Sequence, residues 1–161
     1  MNYKKTAYLG LFAALAIIFG YVETLIPVFV GIPGIKLGLA NLSVLFILNR
    51  YSWKEAAFVS MVRIIVIGFL FGNLFSIVYS LAGGALSLAV MMLLKKKNIF
   101  SLYGISVAGG IAHNIGQLII AMLIVENTTL LYYAPILMIS GVATGLLIGL
   151  LTTEVARRVQ F

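Results

Sequence analysis

His113, Asn114 and Gln117 stand close together in Ala108-Gly109-Gly110-Ile111-Ala112-His113-Asn114-Ile115-Gly116-Gln117, inside a long apolar stretch. On a helix His113 and Gln117 are four residues apart and share a face, with Asn114 beside them. Three hydrogen-bonding side chains in one turn can line a ligand pocket, or they can bond to neighbouring helices and hold a bundle together. Arg63 falls in the middle of another apolar run, Glu23 towards the end of a third, and Lys36 on the turn-rich segment that follows Glu23. A charge in an apolar surrounding is costly and therefore a candidate functional group. Two readings stay open for these charges. Glu23 pairs with Arg63 or Lys36 and holds the fold together, or one or both cations face a cavity and hold an anionic ligand. Asn41, Asn73, Ser76 and Tyr79 are weaker candidates of the same kind.

Most enzyme chemistry lacks its parts here. Cysteine and aspartate are absent and His113 is the one histidine, so a metal site has too few ligands. The four glutamates, Glu23, Glu55, Glu126 and Glu154, are scattered along the chain rather than paired for acid–base work. No Gly-x-x-x-x-Gly-Lys-Ser/Thr, Gly-x-Ser-x-Gly or His-Glu-x-x-His pattern occurs. An active site built on acid–base or metal chemistry has almost nothing to work with, so no catalysis, no cofactor and no metal is expected.

The elements that position these groups follow from composition. Of 161 residues, 63% are hydrophobic and only 9% charged. A soluble domain needs about a quarter charged. The apolar residues fall in blocks long enough to cross a hydrocarbon layer of ~30 Å. Inside that layer every backbone polar group must be satisfied, which leaves helices or a closed barrel, and the alternation of barrel strands is missing. The pattern predicts an all-α, polytopic bundle of six transmembrane helices forming one domain over residues 1–161. The helices are expected at Thr6–Phe29, Leu37–Asn49, Lys54–Phe71, Leu74–Leu94, Ser101–Val125 and Leu130–Ala156. The second would cover only roughly 20 Å at about 1.5 Å per residue. The segment before it, with Gly31, Pro33, Gly34 and Lys36, is therefore expected to dip into the membrane against protein or a water-filled cavity. Ala14-Leu15-Ala16 mimics a signal-peptide cleavage site, but the apolar run before it is too short, so the first helix is expected to stay.

The formal charge of +7 would suggest nucleic acid in a soluble protein. Its distribution says otherwise. With six spans, Lys4, Lys5, Arg50, Lys54, Lys95, Lys96, Lys97, Arg157 and Arg158 all fall on one side, leaving only Lys36 and Arg63 of the 11 basic residues elsewhere. Cytoplasmic loops carry the Lys/Arg excess, so both termini are expected in the cytoplasm, with the protein in the plasma membrane. Tyr51 and Trp53 at the inner ends, and Tyr132 and Tyr133 at the outer, fit interfacial aromatic belts. No nucleic-acid partner is expected; the lipid bilayer is.

Small residues recur every four positions: Gly141, Gly145 and Gly149; Ala108, Ala112 and Gly116; Gly10 with Ala14; and Ala16 with Gly20. Such stripes let helices approach closely. In the fifth and sixth helices they read as packing within the bundle, while one stripe of the first is free to meet a partner.

The order of these features is informative: a basic start, a small-residue first helix, a Pro-Gly turn into Ile35-Lys36-Leu37-Gly38-Leu39-Ala40-Asn41-Leu42, then Gly83-Gly84 ahead of Lys95–Lys97. It resembles the substrate-binding S components of energy-coupling factor (ECF) transporters along nearly the whole chain. More narrowly, it resembles the small branch called Gx transporter or heptaprenyl diphosphate synthase component I. The resemblance implies a vitamin-like or precursor substrate held near the outer face, under a gating loop that would be Gly31–Lys36. It also implies a membrane coupling subunit, driven by ATPase subunits in trans, that docks on an Ala-x-x-x-Ala stripe of the first helix. The matching stripe here is Gly10 to Ala14, with glycine for the first alanine. The second implication, a non-catalytic accessory component of isoprenoid or quinone synthesis, meets a chemical limit. Prenyl diphosphate synthases hold magnesium and diphosphate through aspartates, because hard cations need carboxylate oxygens, and a chain without aspartate lacks them. The six-span topology is testable directly, because the chain has no cysteine. Single cysteines at Asn98 and Asn127 should react with impermeant thiol reagents from opposite sides of the membrane, Asn98 from the cytoplasm; same-side labelling would break the topology.

Overall fold

In a computed structural model, which describes residues 3–25 and 37–159, the chain is a helical membrane bundle. The helices are α1 (Tyr3–Leu25), α2 (Leu39–Arg50), α3 (Trp53–Phe71), α4 (Leu74–Lys96), α5 (Leu102–Val125) and α6 (Ala134–Arg158). A 3-10 helix, Thr128–Tyr133, precedes α6, and the described residues contain no strand. The stretches of α1, α4, α5 and α6 are long and apolar enough to cross a membrane. The 19 residues of α3 include Lys54, Glu55 and Arg63. The 12 residues of α2 cover about 18 Å.

Local chemistry sets the boundaries. Ser52, Asn73 and Ser101 each accept a backbone N–H at the start of the following helix, satisfying donors that the helix leaves orphaned. Gly38, at φ 75°, takes the left-handed conformation open to glycine, so α2 begins at Leu39 rather than Leu37. The sixth helix was expected from Leu130, but its α-helical part starts at Ala134. Pro135 explains the difference: it has no N–H for the α-type bond to the Leu131 carbonyl, so the preceding turn winds as 3-10. The expected stretch of the first helix up to Phe29 and the loop with Gly31, Pro33, Gly34 and Lys36 lie outside the described residues.

Packing closes into a circuit in which α2 meets α3, α3 meets α4, α4 meets α5, α5 meets α6 and α6 returns to α2, with α1 laid over α2 and α3. Ala40 and every residue from Leu42 to Leu48 are buried, so the short α2 serves as the core onto which the others close. Phe12 of α1 stacks on Phe46 of α2 with ring centroids 4.4 Å apart. Four helix ends meet at one face of the bundle. Lys5 pairs with Glu55, joining the starts of α1 and α3. Lys95 Nζ donates to the Leu48 carbonyl and, at 2.9 Å, to that of Asn49, closing the end of α2 with a cation from α4.

The closest approaches of one helix backbone to another belong to α5. A Cβ on Gly145 would lie 2.6 Å from Val107 Cα, and one on Gly110 2.5 Å from the Gly141 carbonyl oxygen, so the α5 and α6 backbones touch. On the other side Gly116 meets the Ala82 carbonyl and Gly83 meets that of His113. The stripes of α5 and α6 are therefore internal packing. On α1 the two stripes part: Ala16 and Gly20 point inward, while Gly10 and Ala14 point outward and nothing lies within 4 Å of a Cβ at Gly10. Gly145→Leu should destabilise the bundle by about 1–3 kcal/mol or more, because the facing backbone cannot move aside. Gly10→Leu should leave the melting temperature within a few degrees of wild type; thermal unfolding in detergent reads both.

Candidate functional site

The circuit of helices leaves a cavity of about 210 Å³ to which all six contribute: Gly20, Glu23 and Thr24 from α1, Asn41 from α2, Arg63 from α3, Ser76 and Ser80 from α4, His113, Asn114 and Gln117 from α5, and Thr144 from α6. Ile64, Ile67 and Phe71 supply apolar wall. The cavity is below the ~300–1,000 Å³ of drug-sized ligand sites and therefore suits a small molecule. A second space of about 20 Å³, room for roughly one water, shares Asn41 and Thr144 with it and continues between Ser87 and Ser106.

Three of the polar side chains are held by a neighbouring helix. Arg63 Nη2 donates to Asn41 Oδ1 at 2.7 Å, which fixes the guanidinium against the first turn of α2. The Glu23 carboxylate accepts the Leu39 N–H at 2.9 Å and so caps the start of that same helix. Both charged side chains are thus bound to α2 within one turn of each other, and they do not make a contact ion pair. The structural reading of a direct Glu23–Arg63 bridge is replaced by two separate anchors on α2, and a Glu23–Lys36 pair lies outside the described residues. Asn114 Nδ2 donates to the Leu137 carbonyl at 2.6 Å, tying α5 to α6. Gln117 is only 2% exposed, and its Nε2 has no protein partner; neither has the buried Nε of Arg63. A buried donor without an acceptor costs about 1–3 kcal/mol, so the cavity wall keeps donors that an acceptor on a ligand would satisfy.

Of the residues singled out from sequence, Glu23, Asn41, Arg63, Ser76, His113, Asn114 and Gln117 come together here. Asn73 and Tyr79 do not line the cavity. Asn73 forms a capping box with Ser76 at the start of α4, a local task that accounts for its polarity. Tyr79 stacks on Phe75 at 6.0 Å. Thr24, Ser80 and Thr144 were missed. Ser80 could have been found, since it follows Ser76 by four and shares its face. Thr144 Oγ1 also returns a hydrogen bond to the Ser140 carbonyl at 2.9 Å, which sequence reads as ordinary helix chemistry. Gly83 is the other unrecognised participant: a Cβ there would lie 2.7 Å from Gln117 Cγ and 3.1 Å from His113 Cε1, so its missing side chain makes room for both. Among the described residues no three or more His, Cys, Asp and Glu side chains gather as a metal site.

Fold and cavity together define a polytopic α-helical membrane protein with a small polar site enclosed by its helices. The chain belongs to the heptaprenyl diphosphate synthase component I family, whose model matches residues 12–155. No curated protein and no solved structure matches it significantly. The Arg63–Asn41 bond should appear in a double-mutant cycle. Arg63→Ala and Asn41→Ala should each lower stability, with a coupling of about 1.5–3 kcal/mol expected of a hydrogen bond to a charged group. Adding Glu23→Gln to Arg63→Ala should restore only a small part of the loss, because the two charges act on one another without a contact pair; full recovery in that double variant would revive the ion-pair reading.

Proposed function

We propose that this protein is the membrane-embedded substrate-binding subunit of an ECF-type importer for a small vitamin-like or precursor molecule, with no chemistry of its own. The observation that carries the reading is the cavity. A guanidinium and buried amide donors converge on a space of about 210 Å³ inside an otherwise apolar bundle. Nothing in membrane packing alone requires such a space, and polar groups at membrane depth mark substrate paths. The outward stripe of Gly10 and Ala14 supports the same reading, since it offers a smooth surface where a coupling subunit with its ATPases in trans can approach closely. In this reading the basic helix ends lie in the cytoplasm, both termini with them, and the protein resides in the plasma membrane.

Family membership favours a second reading, a non-catalytic membrane component of heptaprenyl diphosphate synthesis. Its part there would be accessory, because the aspartates that hold magnesium and diphosphate are absent from the chain.

Two measurements separate the readings. Trp at Gly10 or Ala14 should abolish co-purification with a coupling subunit while the melting temperature stays near wild type. Intact complexes in both variants, or a prenyl synthase subunit as the stable partner, would sink the importer reading. For the small molecule that co-purifies with the protein, identified by mass spectrometry, Arg63→Ala should weaken binding roughly ten- to a hundredfold, the value of a charge-assisted hydrogen bond. Gln117→Ala should cost less, about 0.5–1.5 kcal/mol, as a neutral donor.

A further inference from the structure

The charges on the cavity wall specify more than an anion. Arg63 and Glu23 both line the space, and both are anchored on the first turn of α2, at the Asn41 side chain and the Leu39 N–H. Their anchors are two residues apart, about 3 Å along the α2 axis, so two opposite charges sit close enough to draw together if nothing held them apart. They do not touch, because each is tied to its own α2 partner. The cavity therefore presents a fixed cation beside a fixed anion, with the Gln117 amide as an additional unpartnered donor.

We infer that the ligand of this cavity is a compact zwitterion, an amino-acid-like head in which a carboxylate and an ammonium sit on the same or neighbouring carbons. The inference rests on the reading of the cavity as a ligand site. The carboxylate meets Arg63 and Gln117; the ammonium meets Glu23. A lone anion would satisfy Arg63 but leave Glu23 as a like charge beside it, and a lone cation would do the reverse. A diphosphate is the poorest match, since it needs several cations or a bridging metal, and the described lining residues offer one guanidinium against one carboxylate. The apolar wall of Ile64, Ile67 and Phe71 takes a short hydrocarbon side group, and a long polyprenyl chain would have to lie outside the cavity.

Glu23→Gln isolates the charge, because glutamine keeps a carbonyl oxygen for the Leu39 N–H while losing the negative charge. The probes are leucine, 4-methylpentanoate, which lacks its ammonium, 3-methylbutylamine, which lacks its carboxylate, and pyrophosphate. Binding of each to the full-length protein in detergent is measured by calorimetry and by the shift in melting temperature. Leucine should bind wild type at least about tenfold more tightly than either single-charge analogue. In Glu23→Gln that advantage over 4-methylpentanoate should vanish, with the protein still folded. Equal binding of leucine and 4-methylpentanoate by wild type, preferential binding of pyrophosphate, no binding of any probe, or an unchanged preference in Glu23→Gln would each overturn the inference. The importer reading stands or falls separately, on whether Gly10 and Ala14 dock a coupling subunit.

Discussion

A guanidinium inside an apolar bundle must be given polar company, and here that requirement organises the site. Hydrocarbon offers Arg63 nothing, so the chain supplies Asn41 from α2 at 2.7 Å and an open polar space beside it. For Asn41 to reach Arg63, the first turn of α2 must lie deep inside the bundle. It does: α2 is short, and its residues Leu42–Leu48 are all buried in the apolar core. Glu23 completes the arrangement by capping the start of the same helix, where an uncapped N–H facing the interior would otherwise be orphaned. One buried charge thus accounts for the position of α2, the anchoring of its first turn and the existence of a cavity there.

The far wall is built by backbone contact. Helices in lipid gain little from apolar side-chain burial and associate through close approach and polar bonds. Gly110, Gly141 and Gly145 bring α5 and α6 to backbone distance, and Gly83 with Gly116 does the same for α4 and α5. The approach at Gly83 leaves space for Gln117 and His113, so the contact that holds α4 to α5 also shapes the cavity wall. Asn114 shows both roles of polar groups at once: it lines the cavity and bonds to the Leu137 carbonyl of α6.

Family membership and site chemistry pull towards different emphases. The family name points to the synthesis of a long prenyl diphosphate, whereas the cavity is small and its described lining holds one guanidinium and one carboxylate. A protein that binds a small polar molecule at membrane depth is consistent with both an importer and an accessory that handles a precursor. The exposed face of α1, where Gly10 and Ala14 leave the surface smooth, is where the two readings differ in what they would dock.

The class of fold was legible in the sequence because the bilayer imposes it: long uncharged runs in lipid have to be helices, and basic residues have to sort to one face. Helix positions followed to within a few residues, except where Pro135 and the left-handed Gly38 moved a start. Seven of the polar residues at the cavity could be named in advance, since a polar side chain in an apolar run stands out by its cost. What sequence could not supply was pairing. Glu23 and Arg63 looked like natural partners, and Asn73 looked like Asn41, because composition and spacing carry no distances between helices. Only the tertiary structure decided that Glu23 caps α2, that Asn41 takes Arg63, that Asn73 caps α4, and that Ala16 and Gly20 face inward while Gly10 and Ala14 face out. Each of these depends on which helix faces of distant segments meet, and that is settled by the packing of the whole circuit rather than by any one stretch of chain.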